Sequence, residues 1–473
     1  MHTTPSHGKT LTPLRRNVRF GILDGVTAMP LVMLSQPGNF VMAALLTTSF
    51  GFTTRTYGLF TSLPFWFNFL QVLLTPALAQ HLHSRSMTIL SAWLHVVGWI
   101  SLLVALPFLP AEESPRTVFV FFATFSLVSL SSAINGVAWN AWMQECIPVR
   151  LRGKYFGFRN RLLYLSQVSF MLGVSALLAW LDGSLLAYQL LFGGALVLRV
   201  CSVLSQQQMH TTSGPNVSAP EPPWRDQLRI IRKDPTLIHF ILFASALGFT
   251  ANVVGPFYPV FMYEQLHLSA AHTNLLILLG VLGAAIAFPA WGRLLDRFGN
   301  IPVMIVSIIL WQAALLAMSI ATDRNKWIIY VVMGASGLFS AGYGIGVFGL
   351  LLKLTPSGAR TMGMALFVSI SSLTAALGPV TGGFFLNYAK SHGISLLHAY
   401  HVMFMVCPIF VTATCLLLRR VREENSAPVT EVMGAMRSVR TVASLFGLTF
   451  LVNQVFFRIG EGRFSTRLRR TLR

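Results

Sequence analysis

Long apolar stretches follow one another along most of the chain, separated by short polar connections. Each is about 20 residues long, the length at which an α-helix crosses the hydrocarbon core of a bilayer. Only 11% of the 473 residues are charged, whereas soluble domains average about 25%. We therefore expect an all-α integral membrane protein with twelve transmembrane helices. The stretches begin near Gly21, Tyr57, Met87, Val118, Leu162, Leu185, Leu237, Asn274, Ile301, Trp327, Met362 and Leu397.

Basic residues are distributed unevenly between the two sides that alternating spans create. One side receives 30 of the 35 Lys and Arg residues when Arg199 and the segment 150–161 are counted as loops. Positive charge stays on the cytoplasmic side of membrane proteins. This predicts a multi-pass protein of the cell membrane with both termini cytoplasmic. The same distribution explains the net charge of +20 by basic residues at the membrane surface, so no nucleic-acid partner is expected.

The longest polar interruption, residues 206–234, divides six stretches from six. Its Pro- and Ser-containing composition is typical of a flexible linker, and its end, from Trp224 to Lys233, is basic and amphipathic. We expect a cytoplasmic N-terminal tail at 1–16, a six-helix bundle at 17–205, a second bundle at 235–420 and a basic tail at 421–473.

The basic tail carries a helical apolar stripe. A thirteenth span here would export six arginines, so we expect an interfacial helix attracted to anionic lipids. The stripe, at three- and four-residue steps, consists of Val432, Met436, Val439, Ala443, Phe446 and Phe450.

Proline and glycine interrupt the first and seventh stretches at matching positions, at 36–39 (Gln-Pro-Gly-Asn) and 252–256 (Asn-Val-Val-Gly-Pro). Proline breaks helical hydrogen bonding, and the freed backbone groups need partners inside the protein or in a wet cavity. Matching interruptions in two halves indicate a transporter built from repeats, with its site between them. The alternative is two unrelated kinks tolerated by packing.

The connection after the eighth stretch reads Gly-Arg-Leu-Leu-Asp-Arg-Phe-Gly-Asn at 292–300. This resembles the G-x-L-x-D-R-x-G signature of the major facilitator superfamily. The corresponding connection after the second stretch has Gln80 in place of the acid and lacks the glycines. An Arg-Gly-x-x-x-Gly step from Arg152 opens the fifth stretch, as is common in that family. The resemblance covers about residues 17–420.

The resemblance implies the fold of that family, in which two six-helix bundles rock around a central site. It also implies that Asp296 approaches the start of the fifth span when the cytoplasmic side is closed, with Arg152 and Arg159 available as partners. Gln80 offers no comparable charge, so the gate would depend on one latch. The implied gating residues are Gly292, Asp296, Arg297, Gly299, Arg152 and Gly153.

Asp24 is the one acid clearly inside an apolar stretch. One interpretation places it a single turn into the first helix, where a carboxylate favours the positive helix N-terminus. The other gives it a role in proton or sodium coupling, supported by a loose similarity to the first helix of melibiose-type permeases.

Uncharged polar and aromatic side chains inside the spans are candidates for substrate binding, because polar groups in a membrane are costly unless paired or hydrated. The alternative is hydrogen bonding between helices. The candidates are Asn39, Asn68, Asn135, Trp139, Trp142, Gln167, Asn252, Ser336, Ser340 and Tyr343.

The expected function is secondary transport of a small solute by a monomer. The absence of Arg or Lys from the apolar stretches argues against an anionic substrate and favours a neutral, sugar-like or amphipathic one. We expect no enzyme activity, because H-E-x-x-H, G-x-S-x-G and phosphate-loop motifs are missing, and no cofactor or metal. A non-transporting receptor or scaffold with the same fold is the alternative.

Overall fold

The computed structural model describes residues 13–210, 224–356, 359–423 and 426–437, and within these ranges it contains helices and no strand. Twelve spans in the described ranges are long and apolar enough to cross a membrane, which confirms the expected fold class. The helices of the N-terminal half are α1 (Pro13–Leu34), α2 (Phe40–Ala44), α3 (Thr54–Ala79), α4 (Ser84–Ala105), α5 (Pro115–Cys146), α6 (Val149–Trp180) and α7 (Leu185–Gln207).

The C-terminal half repeats this arrangement after a short amphipathic helix. Its helices are α8 (Trp224–Arg232), α9 (Pro235–Val254), α10 (Phe257–Glu264), α11 (Ala270–Phe298), α12 (Asn300–Leu316), α13 (Trp327–Leu354), α14 (Arg360–Ser391), α15 (Leu396–Leu418) and α16 (Val429–Arg437). Polar residues set several starts, because their side-chain oxygens accept otherwise unpaired backbone N–H groups. The capping residues include Thr53, Ser114, Asp234 and Ser269.

The fifth span starts earlier than its hydropathy indicates. The polar segment 150–161, expected as a loop, forms the first three turns of α6. Lys and Arg side chains are long enough to extend toward water from a helix end, so their charge does not force the backbone out of the helix.

The helix interruptions are confirmed, and they lie against each other. We call the end of the bundle that carries Pro13, Gln207 and Trp224 the termini face, and the opposite end the distal face. Toward the distal face, Gly38 has a φ of +67°, and a Cβ added to it would lie 3.0 Å from Cα of Pro256. Gly38 and Pro256 therefore pack one half against the other, while Gln36 and Pro37 of the first interruption line a cavity between α1, α3 and α5.

Further hydrogen bonds join the two halves near the distal face. The Tyr57 hydroxyl donates to the Pro256 carbonyl at 3.0 Å, and the Tyr263 hydroxyl donates to the Phe40 carbonyl at 2.8 Å. The Ser175 hydroxyl donates to the Ala271 carbonyl at 3.1 Å. Each of these bonds runs from a hydroxyl of one half to a backbone carbonyl of the other.

Close backbone packing between α3 and α14 continues this seal. A Cβ added to Gly383 would lie 2.4 Å from the Thr54 carbonyl oxygen, so the two helices approach more closely than a side chain permits. At the termini face, a Cβ added to Gly153, Gly157 or Gly292 would meet nothing within 4 Å, but the same is true of Gly51 and Gly183 at the distal face. The hydrogen bonds and close backbone contacts described above join the two halves toward the distal face.

The start of the C-terminal tail is docked on the protein. The Ala427 N–H donates to the Phe298 carbonyl at 2.9 Å, and Val432 of α16 is fully buried in a cluster with Trp291 and Val303. Val432 therefore contacts protein and not lipid. The stripe residues Val439, Ala443, Phe446 and Phe450 lie outside the described residues, so the expected interfacial helix beyond Arg437 stays a prediction.

Candidate functional site

A buried polar cluster joins α1, α5 and α7 in the N-terminal half. Asp24 is only 2% exposed, yet its carboxylate accepts three hydrogen bonds. Ser202 Oγ and Gln206 Nε2 donate to Oδ1 at 2.7 and 2.8 Å, and Trp139 Nε1 donates to Oδ2 at 3.0 Å. Hydrogen bonds of this kind are what a carboxylate requires when it is removed from water.

Two arginines belong to the same cluster, so the expectation of no cation inside the spans is wrong. Arg199 in α7 is 3% exposed, and its Nη1 donates to Ser202 Oγ at 3.0 Å. Arg159 in α6 donates from Nε to the Gly21 carbonyl at 3.2 Å. A buried cation persists where an anion and hydrogen-bond acceptors lie close by, and Asp24 supplies the anion.

Trp139 is held from two sides. Its ring nitrogen donates to Asp24, and the Arg159 guanidinium lies 4.2 Å from the centre of its ring, a cation–π contact. Gly25 leaves room for this arrangement, since an added Cβ would come within 2.5 Å of Arg159 Nη2. The ring of Phe156 meets Trp139 edge-on at 6.2 Å. Trp139 and the half-buried Arg159 therefore form a pre-organised surface on the N-terminal half.

The position of Asp24 excludes one of its two interpretations. α1 begins at Pro13, so Asp24 lies about three turns into the helix and not one. The helix dipole acts over the first turn only. The carboxylate is stabilised by side chains of α5 and α7 instead.

Sequence analysis missed Arg199, Ser202 and Gln206, although a signal was present. Their spacing of three and four residues places them on one face of a helix. The charge count placed Arg199 in a loop, although the first bundle was expected to extend to residue 205, and for that reason the stripe was not recognised.

Several predicted site residues in the N-terminal half make structural contacts. Asn39 caps α2 by accepting from the Val41 and Met42 N–H groups, and Asn135 donates to the Thr88 carbonyl and to Ser91 Oγ. Trp142 is fully buried in an apolar cluster. Gln167 in α6 is half-buried, and Asn68 in α3 lines a cavity between α1, α3 and α5.

The predicted residues of the C-terminal half do not form one cluster. Asn252 donates to the Gly248 carbonyl of its own helix, and Ser340 Oγ lies 3.4 Å from the Gly337 carbonyl oxygen. Ser336 Oγ is buried and has no partner among the described residues. Tyr343 stacks on Trp311 with ring centres 6.1 Å apart.

The predicted gating residues lie near the termini face. Asp296 and Gly292 line a pocket formed by the C-terminal half, which also contains Lys353, Arg422 and Glu423.

On the opposite half, Arg152 donates to the carbonyls of Gln144 and Ile147, and Gly153 borders open space. Arg159 takes part in the Trp139 contact instead of pointing at Asp296. The latch expected in the cytoplasm-closed state stays a prediction.

The remaining two gating residues shape the turn between α11 and α12. Gly299 has a φ of +91°, which glycine adopts without strain, and the Arg297 guanidinium lies 5.0 Å from the ring centre of Phe298.

Among the described residues, no group of three His, Cys, Asp or Glu side chains is arranged to hold a metal ion.

The family model described as Major Facilitator Superfamily matches residues 242–461. A curated relative, the multidrug resistance protein MdtG of Escherichia coli (strain K12 / DH10B), is 25% identical over 213 residues, which make up 43% of this chain and 50% of the relative. The chain thus spans about half the length of the curated relatives it matches.

Solved structures share the fold over most of the chain. A variant of the nucleoside transporter NupG has a TM-score of 0.67 at 14% identity, covering 85% of this chain and 100% of that one. A bacterial homologue of the human lysosomal transporter Spinster, in an inward-facing and unoccupied conformation, has 0.63 at 13%, covering 86% and 99%. A D-xylose-proton symporter has 0.63 at 14%, covering 84% and 97%.

Fold and family model together define the class as a multi-pass membrane protein with two six-helix halves. The resemblance stated from the signature loop is confirmed, since the Major Facilitator Superfamily model matches residues 242–461 and the solved transporter structures share the fold; the subfamily is unassigned.

Proposed function

We propose that the protein is a secondary transporter that moves a small solute by alternating access. The observation that carries the proposal is the close contact between the two halves toward the distal face. A Cβ added to Gly38 would lie 3.0 Å from Pro256 Cα, and the Tyr57 hydroxyl donates to the Pro256 carbonyl. A carrier that is closed at one face, in one of its two end states, has contacts of this kind there.

The excess of basic residues supports a cytoplasmic termini face, so the structure corresponds to an inward-facing state in the cell membrane. The basic tail then lies where anionic lipids attract it. We propose that the protein works as a monomer.

We favour a neutral solute as the substrate class. The reason given by the sequence, an absence of Arg and Lys from the apolar stretches, no longer holds. Both arginines already have partners in the cluster: Arg199 donates to Ser202 Oγ, and the half-buried Arg159 donates to the Gly21 carbonyl and lies over the Trp139 ring. They are therefore committed to the cluster and do not provide a lone cation that would select an anion.

The contacts of Asp24 favour a positioning role over coupling to a proton or sodium ion. Its carboxylate accepts hydrogen bonds from Trp139 of α5 and from Ser202 and Gln206 of α7, so it ties α1 to both helices. Asp24→Asn separates the roles: loss of coupling abolishes accumulation against a gradient while solute exchange continues, whereas loss of positioning lowers both.

A second candidate is the movement of amphipathic compounds. A groove of about 640 Å³ between α6 and α7, with Val26 and Pro30 behind it, is lined almost entirely by apolar side chains. A related protein carries the name multidrug resistance protein. If this candidate is correct, Leu165→Trp, which fills the groove, reduces extrusion of an amphipathic dye from cells.

The test of the carrier function is reconstitution with a conformational block. Arg55 and Phe384 face each other across the distal seal, with 4.7 Å between guanidinium carbon and ring centre. In protein whose four cysteines are replaced, Arg55→Cys and Phe384→Cys joined by a short thiol cross-linker should stop exchange of radiolabelled solute in proteoliposomes.

Reduction of the linker should restore exchange, and each single-cysteine variant is the control. Full exchange in the cross-linked protein would contradict alternating access. No flux for any solute in the uncross-linked protein would favour the receptor or scaffold alternative.

Trp139 tests the binding surface. Trp139→Ala should lower transport more than Trp93→Ala at matched expression, because Trp139 is held against Asp24 and Arg159, whereas Trp93 packs in a small apolar cluster. Equal losses would mean that Trp139 serves packing alone.

A further inference from the structure

A separate cavity of about 360 Å³ lies between α1, α3 and α5, where α1 is interrupted. We call it the α1–α3–α5 cavity. Gly136 of α5 lines it and stands three residues, less than one turn, before Trp139. Gln71 is the eighteenth residue of the 26-residue α3, and Ser129 the fifteenth of the 32-residue α5, so both lie well inside their spans.

Two side chains that line this cavity are buried without a hydrogen-bond partner. Gln71 is 5% and Ser129 is 3% exposed, and within the described residues neither Gln71 Oε1 nor Ser129 Oγ has a partner. A buried polar atom without a partner is costly, and in most proteins such atoms are paired. Two residues further along α5, by comparison, Ser131 Oγ donates to the Leu127 carbonyl. Gln71 Oε1 and Ser129 Oγ are therefore polar atoms to which the described part of the chain offers no partner.

The remaining wall of the cavity is uncharged and combines polar with apolar side chains. Asn68 adds an amide, Ser132 a hydroxyl and Gln36 a second amide, and none of the residues lining the cavity carries a charge. The volume lies at the lower end of the range for ligand pockets, about 300–1,000 Å³. Amide and hydroxyl groups in such a space match the hydroxyls of a small uncharged molecule.

We infer that the α1–α3–α5 cavity is a subsite for the hydroxyl groups of a small uncharged solute, with Gln71 as acceptor and Ser129 as donor or acceptor. This inference rests on the proposed transport function, because it names the chemistry of the solute carried. It adds Gln71, Ser129 and Ser132 to the candidate Asn68.

The test measures binding to the purified full chain in detergent and does not depend on transport. The probes are two neutral polyhydroxyl compounds, uridine and D-xylose, and their charged counterparts, uridine monophosphate and D-xylonate. At least one neutral probe should raise the unfolding temperature, since a ligand of the folded state stabilises it. Each charged counterpart should bind at least tenfold more weakly.

Variants identify the subsite by two opposite changes. Gln71→Leu and Ser129→Ala should each weaken binding of the neutral probe at least tenfold, because they remove its hydrogen-bond partners. The same variants should leave unchanged or raise the unfolding temperature of ligand-free protein, because they remove an unsatisfied buried atom. Ser131→Ala, on another face of α5, is the control and should bind like the wild type. Gln71→Asn is the second variant if Gln71→Leu does not fold.

The inference is overturned if neither neutral probe binds, if the charged counterparts bind as well, or if both variants retain wild-type affinity. Lower stability of the ligand-free variants would also overturn it, since Gln71 and Ser129 would then have structural partners. Variant-sensitive binding without flux in proteoliposomes would support the subsite and contradict the carrier function.

Discussion

At Asp24 one carboxylate links three transmembrane helices. Its donors, Trp139, Ser202 and Gln206, are separated from it by 115, 178 and 182 residues. Ser202 Oγ also accepts a hydrogen bond from Arg199, so the cluster contains neutral donors together with a carboxylate and a guanidinium group. Each group in such a network is satisfied only while the others stay in place.

We expect Asp24→Asn to lower the stability of the folded protein by about 3–5 kcal/mol, because it leaves buried cations without their anion. Replacing Arg199 as well, in Asp24→Asn/Arg199→Met, should recover part of the loss. Thermal unfolding of purified protein in detergent measures both. Glu112→Gln, at an exposed carboxylate, is the control, and additive losses in the double variant would argue against coupling between Asp24 and Arg199.

Among the helices, α12 depends on a residue from outside the spans. The Glu423 carboxylate accepts from the N–H groups of Asn300 and Ile301 at 2.8 and 2.9 Å, and from the Lys353 ammonium at 2.9 Å. A carboxylate at this position compensates the unpaired N–H groups and the positive dipole end of the helix. The same contacts attach the tail to the loop between α11 and α12.

This cap should make stability depend on pH. Burial raises the pKa of Glu423, but hydrogen bonds from Ile301, Lys353 and Asn300 outweigh it, so the pKa lies below its ordinary value. A carboxyl with a lowered folded-state pKa stabilises the protein above its unfolded-state pKa, and that stability is lost as pH falls through the folded-state pKa.

Glu423→Gln should therefore be less stable than the wild type at neutral pH, by about 1–2 kcal/mol. The difference should vanish as pH falls below the ordinary carboxyl range. Thermal unfolding at a series of pH values tests this, with Glu431→Gln on the exposed side of α16 as the control. A difference that persists in acid would mean that shape, not charge, matters at this position.

For the whole molecule, the charge distribution determines orientation. Tags after Met1, near Ser213 and at Arg473, all at positions outside the described residues, should be cytoplasmic, because 30 of 35 basic residues were assigned to that side. Arg159 and Arg199, now located inside the helices, leave the excess large. The accessibility of the tags in intact and in permeabilised cells measures this orientation. An external C-terminal tag would require a thirteenth span.

The gate between the halves should depend on one signature loop. If Asp296 reaches the start of α6 in the cytoplasm-closed state, Asp296→Asn removes roughly 0.3–2 kcal/mol, a factor of about two to thirty in the two-state ratio. Cysteines placed near the termini face should then become more accessible from the cytoplasm. Gln80→Ala should have little effect, because Gln80 carries no charge. An equal increase for both variants would refute the single latch.

Local sequence was sufficient to predict the transmembrane helices and the fold class. About 20 apolar residues in a bilayer must form a helix, since only there are backbone groups paired without water. Proline breaks this backbone pairing, so the Pro and Gly residues at 36–39 and 252–256 predicted the helix interruptions. Charge counting predicts orientation, and the motif at 292–300 indicated the family.

Tertiary structure decided which polar side chains are paired and which are not. Asn39 and Asn135 looked like binding residues, yet they are bonded within the protein, whereas Gln71 and Ser129 were passed over and have no partner among the described residues. Arg199 looked like a loop residue and lies beside Asp24. Pairing depends on which faces meet when helices distant in sequence pack together, and one helix's periodicity contains no information about its neighbours.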